Sequence, residues 1–170
     1  MAIDNNRLLK AAIAVAQRAR DEGNHPFGAV LASVDGEILL DAGNTVITDR
    51  DATGHAETNL VRLASHTYVD DVLADCTLYS SAEPCAMCAG AIYWSGIGRV
   101  VYALSELDLL DLTGADAENP TMTLGVRDVL AAGQRAITVE GPFELAGATA
   151  VHDGFWNPAR NTKTADQRGG

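Results

Sequence analysis

The sequence predicts an α/β fold, and three patterns carry this prediction. They are a helical periodicity near the start, a β-hairpin pattern after it, and a strand–helix–strand succession from Asp75 to Ala103. Parallel strands need a long crossover connection, usually a helix, so the succession predicts two parallel strands. The 170 residues are enough for one domain with its own core, and 47% of them are hydrophobic, which excludes a disordered chain.

The first third of the chain is predicted to form one helix followed by a hairpin. Asp4 is a suitable N-cap for a helix over Asn5–Asp21, whose apolar residues form a single stripe. Two β-like runs, Gly28–Val34 and Glu37–Val46, flank Asp35-Gly36, a dipeptide typical of two-residue hairpin turns.

The rest of the chain is predicted to alternate helices and strands. In chain order, the predicted elements are a helix from about Thr53, a strand over Asp75–Ser81, a helix over Cys85–Ser95, a strand over Arg99–Ala103, a helix over Gly125–Ala132 and a strand over Arg135–Glu140. We expect Leu104–Pro120 to be a loop, residues 1–158 to form the single domain and the polar residues 159–170 to form a disordered tail.

The charge of the chain restricts its partners. The net charge is −11, and no Lys or Arg lies between Arg99 and Arg127, an interval that contains five acidic residues. Nucleic-acid binding depends on basic residues that displace counter-ions, so a polynucleotide partner is disfavoured and a small neutral molecule is not. A solubilising acidic surface explains the average charge equally well, but it explains the local lack of basic residues less well.

Location is also predicted from composition. No apolar run approaches the roughly 20 residues of a membrane span, and the first twenty residues do not resemble a secretory signal. With three Cys in all, the chain has no disulfide framework. We therefore expect a cytoplasmic protein with no membrane contact.

One imidazole and two thiols have the spacing of metal ligands. His55 is predicted to open one helix, and Cys85 and Cys88 lie three residues apart at the start of another, so they share a helix face. The helix N-terminus favours thiolates. Three protein ligands with one open position are typical of catalytic zinc, whereas structural zinc usually has four. The pattern therefore predicts a Zn²⁺ that activates a water molecule.

Glu57 is predicted to be the general acid/base. It follows His55 by two residues, roughly 200° around a helix, so it is poorly placed as a further ligand but can approach the open side of the metal. A carboxylate there can take a proton from water and deliver it to a ring nitrogen and a leaving amine. The implied reaction is hydrolytic loss of ammonia from an amino-substituted heteroaromatic ring.

Two other interpretations of the cysteines are weaker. A redox pair fits poorly because Pro84 precedes the cysteines and a His-x-Glu lies upstream. Structural zinc would need a fourth ligand, and Cys76, the remaining thiol, lies in an apolar strand where it reads as a core residue.

The combination of His55-Ala56-Glu57 with Pro84-Cys85-Ala86-Met87-Cys88 resembles the cytidine deaminase superfamily, and the match extends roughly from Pro26 to Ala103. The resemblance implies a three-layer α/β/α fold around a five-stranded mixed sheet. It also implies a site at a subunit interface and a homodimer.

Two branches of the superfamily are similar. The run from Glu83 to Ala91 is shared with bacterial tRNA adenosine deaminases, whereas Pro26–Val30 and Gly90–Trp94 resemble guanine deaminases. The guanine deaminase resemblance implies that Asn44 holds the base and Phe27 stacks on it.

The resemblance also implies residues with less direct roles. In the guanine deaminase branch an acid after the fourth strand shuttles protons, and Asp116 is the best match, with Asp111 or Glu118 as alternatives. Ala56 and Trp94 complete the predicted substrate-binding set. Residues 155–161 loosely match a C-terminal segment that covers the site and is often swapped between subunits.

The sequence leaves three functions to be compared. The first is a zinc-dependent deaminase of free nucleobases or related rings, with guanine-like rings first and cytosine or triazine-type rings next. The second is a tRNA adenosine deaminase, which the charge disfavours because an anticodon stem-loop needs a cationic groove. The third is a non-catalytic zinc-stabilised module, in which Glu57 would have no use.

Overall fold

A five-stranded mixed sheet forms the centre of the structure. The computed structural model describes residues 3–114 and 116–156. In this part of the chain the strands are β1 Gly28–Ala32, β2 Ile38–Gly43, β3 Thr77–Ala82, β4 Arg99–Leu104 and β5 Thr138–Glu140. The helices are α1 Asn5–Asp21, α2 Ala56–Thr67, α3 Asp70–Ala74, α4 Ala86–Ser95, α5 Glu106–Thr113, α6 Val126–Ala131 and α7 Ala146–Ala150.

The strand order is β2-β1-β3-β4-β5. β1 is antiparallel to both of its neighbours, whereas β3, β4 and β5 are parallel. The predicted β3–α4–β4 crossover is therefore confirmed, with Thr77 opposite Arg99. Because the carboxyl ends of parallel strands meet at one edge, the segments that follow β3 and β4 come together there.

Helices cover both faces of the sheet, which confirms the predicted three-layer α/β/α arrangement. Successive side chains of a strand point to opposite faces. Ala29 and Leu31 of β1 accordingly pack with α2, α4 and α6, whereas Val30 and Ala32 pack with α1, α5 and α7.

Helix α1 lies unusually close to β1, and a glycine permits this approach. A Cβ atom at Gly28 would lie 2.3 Å from the backbone nitrogen of Ala16 and 2.5 Å from the carbonyl oxygen of Ala12. No side chain fits in that space. The Gly28 amide instead donates to Ser81 Oγ at 3.1 Å, which ties the start of β1 to β3.

Three short helices were not predicted from the sequence, and one of them corrects the predicted loop over Leu104–Pro120. Residues Glu106–Thr113 form α5, which Ser105 caps by accepting a hydrogen bond from the Asp108 amide at 3.1 Å. Only two of its eight residues, Leu109 and Thr113, are buried and three are acidic, so the helical pattern is weak in the sequence. The other two unpredicted helices, α3 and α7, have five residues each.

No helix in the described residues is long and apolar enough to cross a membrane. The predicted tail, residues 159–170, and residues 157–161 of the predicted covering segment lie outside the described part of the chain.

Candidate active site

His55 and Glu57 lie at the start of α2. His55 is the N-cap residue but makes no side-chain cap hydrogen bond, so its imidazole is available for other contacts. Asn59, one turn later, fixes the preceding loop by donating to Gly43 O and to Thr45 Oγ1, each at 3.0 Å. The helix start is thereby tied to the end of β2.

Cys85 and Cys88 lie at the start of α4, next to His55. Cys85 Sγ, Cys88 Sγ and His55 Nδ1 form a triangle with edges of 3.6 Å. A tetrahedral zinc with Zn–S of about 2.3 Å and Zn–N of about 2.0 Å separates its ligand atoms by about 3.5–3.8 Å. The triangle therefore fits Zn²⁺, and it is the one group of metal-binding side chains of this kind in the described residues.

Cys76 does not provide a fourth ligand. It is buried in the hydrophobic cluster with Leu73 and Leu78, apart from the metal-binding group. Three protein ligands without a fourth are the arrangement of a catalytic rather than a structural zinc.

The hydrogen bond between the two thiols moves their pKa values in opposite directions. A hydrogen bond from Cys88, supported by one with His55, lowers the pKa of Cys85 to about 4. The same bond and burial raise the pKa of Cys88. Zinc ligation requires thiolates, so metal binding must release the proton that Cys88 retains.

Glu57 is 5% exposed and lies beside the ligand group. Its Oε1 accepts a hydrogen bond from Ser80 Oγ at 2.6 Å, and its Oε2 lies 3.4 Å from Cys88 Sγ. Burial raises the pKa of Glu57, and the hydrogen bond from Ser80 opposes this shift. A carboxyl group that is buried and held on one side is well placed to exchange protons.

A cavity of about 280 Å³ opens onto His55, Glu57 and Cys85. Phe27 and Asn44, for which the resemblance implies contact with the base, also line it. Small-molecule sites commonly have about 300–1,000 Å³, so this volume suits one small ring better than a nucleotide. A larger, more open cavity of about 490 Å³ beside α5 and α7 is lined by none of these residues.

Asn44 is 2% exposed, and only the oxygen of its side-chain amide is already hydrogen-bonded. Its Oδ1 accepts a hydrogen bond from the Val46 amide at 3.0 Å. The Nδ2 group is therefore the half that can donate, and a ring carbonyl oxygen is a matching acceptor.

Two acidic residues other than Asp116, the predicted proton shuttle, line the cavity. Burial, together with the negative charge of Cys85, raises the pKa of Glu106 to about 7. Glu118 Oε2 lies 3.1 Å from His25 Nε2, and both side chains are nearly buried. Asp116, the predicted shuttle, does not line the cavity; its Oδ1 accepts a hydrogen bond from the Glu118 amide at 2.9 Å and shapes that turn.

Three further predicted residues also fall outside the cavity. Ala56 is fully buried and its side chain packs in the core. Trp94 is 78% exposed on the outer surface of α4, because it lies on the face of that helix turned away from the sheet. Asp111, the alternative shuttle, lines the larger cavity. None of these three residues therefore lines the smaller cavity.

The described end of the chain packs behind Phe27. The ring centroid of Phe27 lies 5.3 Å from that of His152 and 6.1 Å from that of Trp156, and Trp156 lies 5.5 Å from His25. Trp156 Nε1 donates to His152 Nδ1 at 3.0 Å.

Sequence reasoning missed several residues that organise the site. Glu83 accepts hydrogen bonds from the Glu106 and Val126 amides at 3.0 and 3.1 Å, so one carboxylate joins the starts of α5 and α6. Its position directly before Pro84 was the available signal. Ser80 and His25 gave no comparable signal, since their partners are distant in the sequence.

Comparisons with known proteins agree with this geometry. Residues 3–104 match the family model described as the cytidine and deoxycytidylate deaminase zinc-binding region. A probable cytosine deaminase from Schizosaccharomyces pombe is 46% identical over 152 residues, which cover 89% of this chain and 92% of the relative. A guanine deaminase from Bacillus subtilis is 40% identical over 107 residues, 62% of this chain and 68% of the relative.

A solved structure is similar over most of the fold. The guanine deaminase from Nitrosomonas europaea is 26% identical, with a TM-score of 0.72, and the match covers 89% of this chain and 84% of that one. The sheet, the metal-binding triangle and the family match all lead to the same assignment. The chain belongs to the cytidine and deoxycytidylate deaminase zinc-binding family, and it is a zinc-dependent deaminase.

Proposed function

We propose that this enzyme removes an exocyclic amino group, as ammonia, from a free nucleobase that also carries a ring carbonyl. The observation that carries the proposal is the Asn44 amide, which offers an N–H donor to the same small cavity as Glu57 and the three metal ligands. Cytosine and guanine both combine an amino-bearing ring carbon with a carbonyl oxygen, so both satisfy this arrangement.

Each protein group has a distinct part in the reaction. Asn44 donates to the carbonyl oxygen and Phe27 packs against the ring, which together orient the amino-bearing carbon. Zinc, when bound by His55, Cys85 and Cys88, supplies the electrophile that makes water nucleophilic near neutral pH. Glu57 takes the proton of the attacking water and returns protons to the ring nitrogen and the departing amine, while Ser80 holds its other oxygen.

We rank cytosine as the first candidate substrate and guanine as the second. The sequence motifs favour guanine-like rings, but the similarity to the probable cytosine deaminase extends over 92% of that protein, against 68% for the guanine deaminase. The longer match includes the segment after β4, which supplies Glu106, Leu109 and Glu118 to the cavity. Triazine-type rings that carry both an amino group and a ring carbonyl, as azacytosine does, belong in the same test.

Glu57→Gln tests the chemistry. Ammonia release would be measured for cytosine, guanine and triazine analogues with the zinc-loaded enzyme. The variant should lose at least about 10²-fold in kcat while its zinc content stays at one ion per chain, because the amide cannot carry the proton. Unchanged turnover would refute the role of Glu57, and a wild-type enzyme inactive on every base would refute the proposed function. Loss of zinc from the variant would assign Glu57 to metal binding instead.

The two remaining functions are less compatible with the site. A tRNA anticodon loop would have to approach a cavity lined by Glu57, Glu106 and Glu118 on a chain with a net charge of −11. A non-catalytic zinc module gives no reason for a buried, hydrogen-bonded Glu57 at an open metal position. Salt-sensitive tRNA binding coupled to inosine formation would reverse this ranking.

The proposal includes a homodimer formed through the outer surface of α4. Trp94 is 78% exposed and Met87 is 36% exposed on this helix, and the space beside Gly90 between them is open. A second copy can place its own Trp94 over that open space, which a two-fold contact repeats on both sides. Light scattering should give twice the chain mass for the wild type and a monomer for Trp94→Glu. A wild-type monomer would refute the dimer.

Location and the covering segment are also part of the proposal. All three cysteines are free thiols, and a reducing cytoplasm keeps Cys85 and Cys88 available as ligands. Phe155 and Trp156, the described part of the predicted covering segment, pack against His25 at the cavity, so we propose that this part of the segment belongs to the site of its own chain.

A further inference from the structure

A hydrogen-bonded pair that is not part of the metal-binding group lines the cavity. His25 Nε2 lies 3.1 Å from Glu118 Oε2, and the two side chains are only 8% and 12% exposed. Both residues line the cavity, and neither makes a hydrogen bond to His55, Cys85 or Cys88. The pair joins the turn before β1 to the segment between α5 and α6, 93 residues later.

Neighbouring rings hold the pair in place. The ring centroid of Trp156 lies 5.5 Å from that of His25, and the Phe155 ring meets the His25 ring edge-on with a centroid separation of 6.1 Å. The Glu118 amide is fixed by Asp116. Glu118 Oε2 is occupied by His25, and within the described residues no donor contacts Oε1. Glu118 lines the cavity, and a nearly buried carboxylate whose second oxygen has no donor among the described residues is a strong acceptor.

We propose that the His25–Glu118 pair makes the enzyme selective for free bases over their nucleosides, because Glu118 accepts a hydrogen bond from the ring N–H that only a free base carries. This inference rests on the proposed function, since it concerns the substrate of the same cavity. Glu118 determines the specificity, and His25 is a positioning residue that acts through it.

The chemistry of the ring supports this division of roles. The amino-bearing carbon must lie at Glu57 and the metal ligands, so Glu118 contacts a different edge of the ring. In cytosine the N1–H lies across the ring from the amino-bearing carbon, and in guanine the N9–H lies on the second ring. A sugar or methyl group at this nitrogen removes the donor and leaves the buried carboxylate of Glu118 without a partner. Because an unpaired buried polar group is costly, such a site rejects the substituted ring strongly in favour of the free base.

The test compares cytosine with 1-methylcytosine, which differ at this nitrogen alone. Their kcat/KM values would be measured by ammonia release with the zinc-loaded wild type and with Glu118→Ala, His25→Phe and His25→Gln. The ratio of the two values within one variant is independent of the fraction of folded enzyme. Glu22→Ala, at an exposed position after α1, is the matched control.

The wild type should prefer cytosine by at least about 10²-fold. Glu118→Ala should reduce the ratio to below about tenfold, with kcat/KM for 1-methylcytosine rising, since the shortened side chain leaves room for the methyl group. His25→Phe should also lower the ratio, whereas His25→Gln, which restores a donor, should keep it close to the wild-type value. A merely structural role for His25 would lower both substrates equally.

Several results would overturn the inference. One is a wild-type ratio near one, and another is a ratio unchanged in Glu118→Ala. If the wild type deaminates no base, the proposed function fails first. Calorimetric titration of the zinc-loaded protein with the two compounds then decides, because selective binding of cytosine supports the pair and equal or absent binding refutes it.

Discussion

Replacing Glu83 tests how the site is assembled. Its carboxylate accepts the Glu106 amide at 3.0 Å and the Val126 amide at 3.1 Å, and these are the first residues of α5 and α6. Negative charge at a helix N-terminus is favourable, and no other side chain among the described residues bonds both helix starts. Glu83→Ala should therefore loosen two helices at once.

The magnitude follows from the two bonds. A hydrogen bond to a charged group contributes about 1.5–3 kcal/mol, so two contribute about 3–6 kcal/mol. Glu83 is half-buried, and solvent screening reduces this contribution to roughly half, about 2–3 kcal/mol. For a domain of this size the expected fall in Tm is about 5–10 °C. Glu83→Gln retains one acceptor oxygen and should lose about half as much.

Urea denaturation of the zinc-loaded protein measures the effect, with Glu144→Ala at an exposed position as the control. The midpoint should fall in the order wild type, Glu83→Gln, Glu83→Ala, with an unchanged m-value. Because Glu106 lines the cavity and Cys85 follows two residues after Glu83, kcat/KM should fall in the same order. A midpoint for Glu83→Ala within 0.3 M of the wild type, a threshold of roughly 0.5 kcal/mol at ordinary m-values, would refute the reasoning.

Three further predictions use other parts of the structure. Gly28→Ala should lower the free energy of unfolding by at least about 2 kcal/mol, because the new Cβ meets the α1 backbone. Gly147→Ala, where a Cβ makes an ordinary contact, should have little effect. Equal urea midpoints for the two variants would contradict this prediction. Zinc affinity, measured by competition with a chelator, should fall as the pH is lowered, since Cys85 and Cys88 bind as thiolates; a pH-independent affinity would exclude thiolate ligation. Burial lowers the pKa of His152 from 6.5 to about 4, so the unfolded chain binds a proton at a higher pH than the folded chain does. The free energy of unfolding should therefore fall as the pH is lowered from 6.5 towards 4. His152→Phe should flatten this pH dependence, and an identical slope of the free energy of unfolding against pH would contradict the prediction.

The parts of the fold that depend on local pattern could be predicted from the sequence. α1 has the predicted bounds, because a single apolar stripe and an Asp4 cap define it. The hairpin and the β3–α4–β4 crossover were also predicted correctly. Helix α5 was missed because its acidic residues outnumber its buried ones, and tertiary packing of Leu109 determines that it forms.

The candidate site divides in the same way. His55, Cys85 and Cys88 could be recognised because each lies at a helix start that the sequence marks. The partners of Glu118 could not, because its amide bonds Asp116 two residues away while its carboxylate bonds His25 across 93 residues. A pattern that indicates a turn says nothing about the direction of the side chain within it.

The metal-binding residues and the residues that contact the rest of the cavity lie on different kinds of element. The metal ligands and Glu57 lie at the starts of α2 and α4, which the sheet holds in a fixed relation, whereas Glu118 and Met122 reach the cavity from a coil segment between α5 and α6. A change in that segment can alter which ring edge is read without moving the zinc. Relatives with the same ligands can therefore act on different rings, and a similarity shared by cytosine and guanine deaminases is what such a site should give. The residues at 116–122, rather than the metal motif, are where exchange between relatives should switch the preferred base while zinc content stays constant.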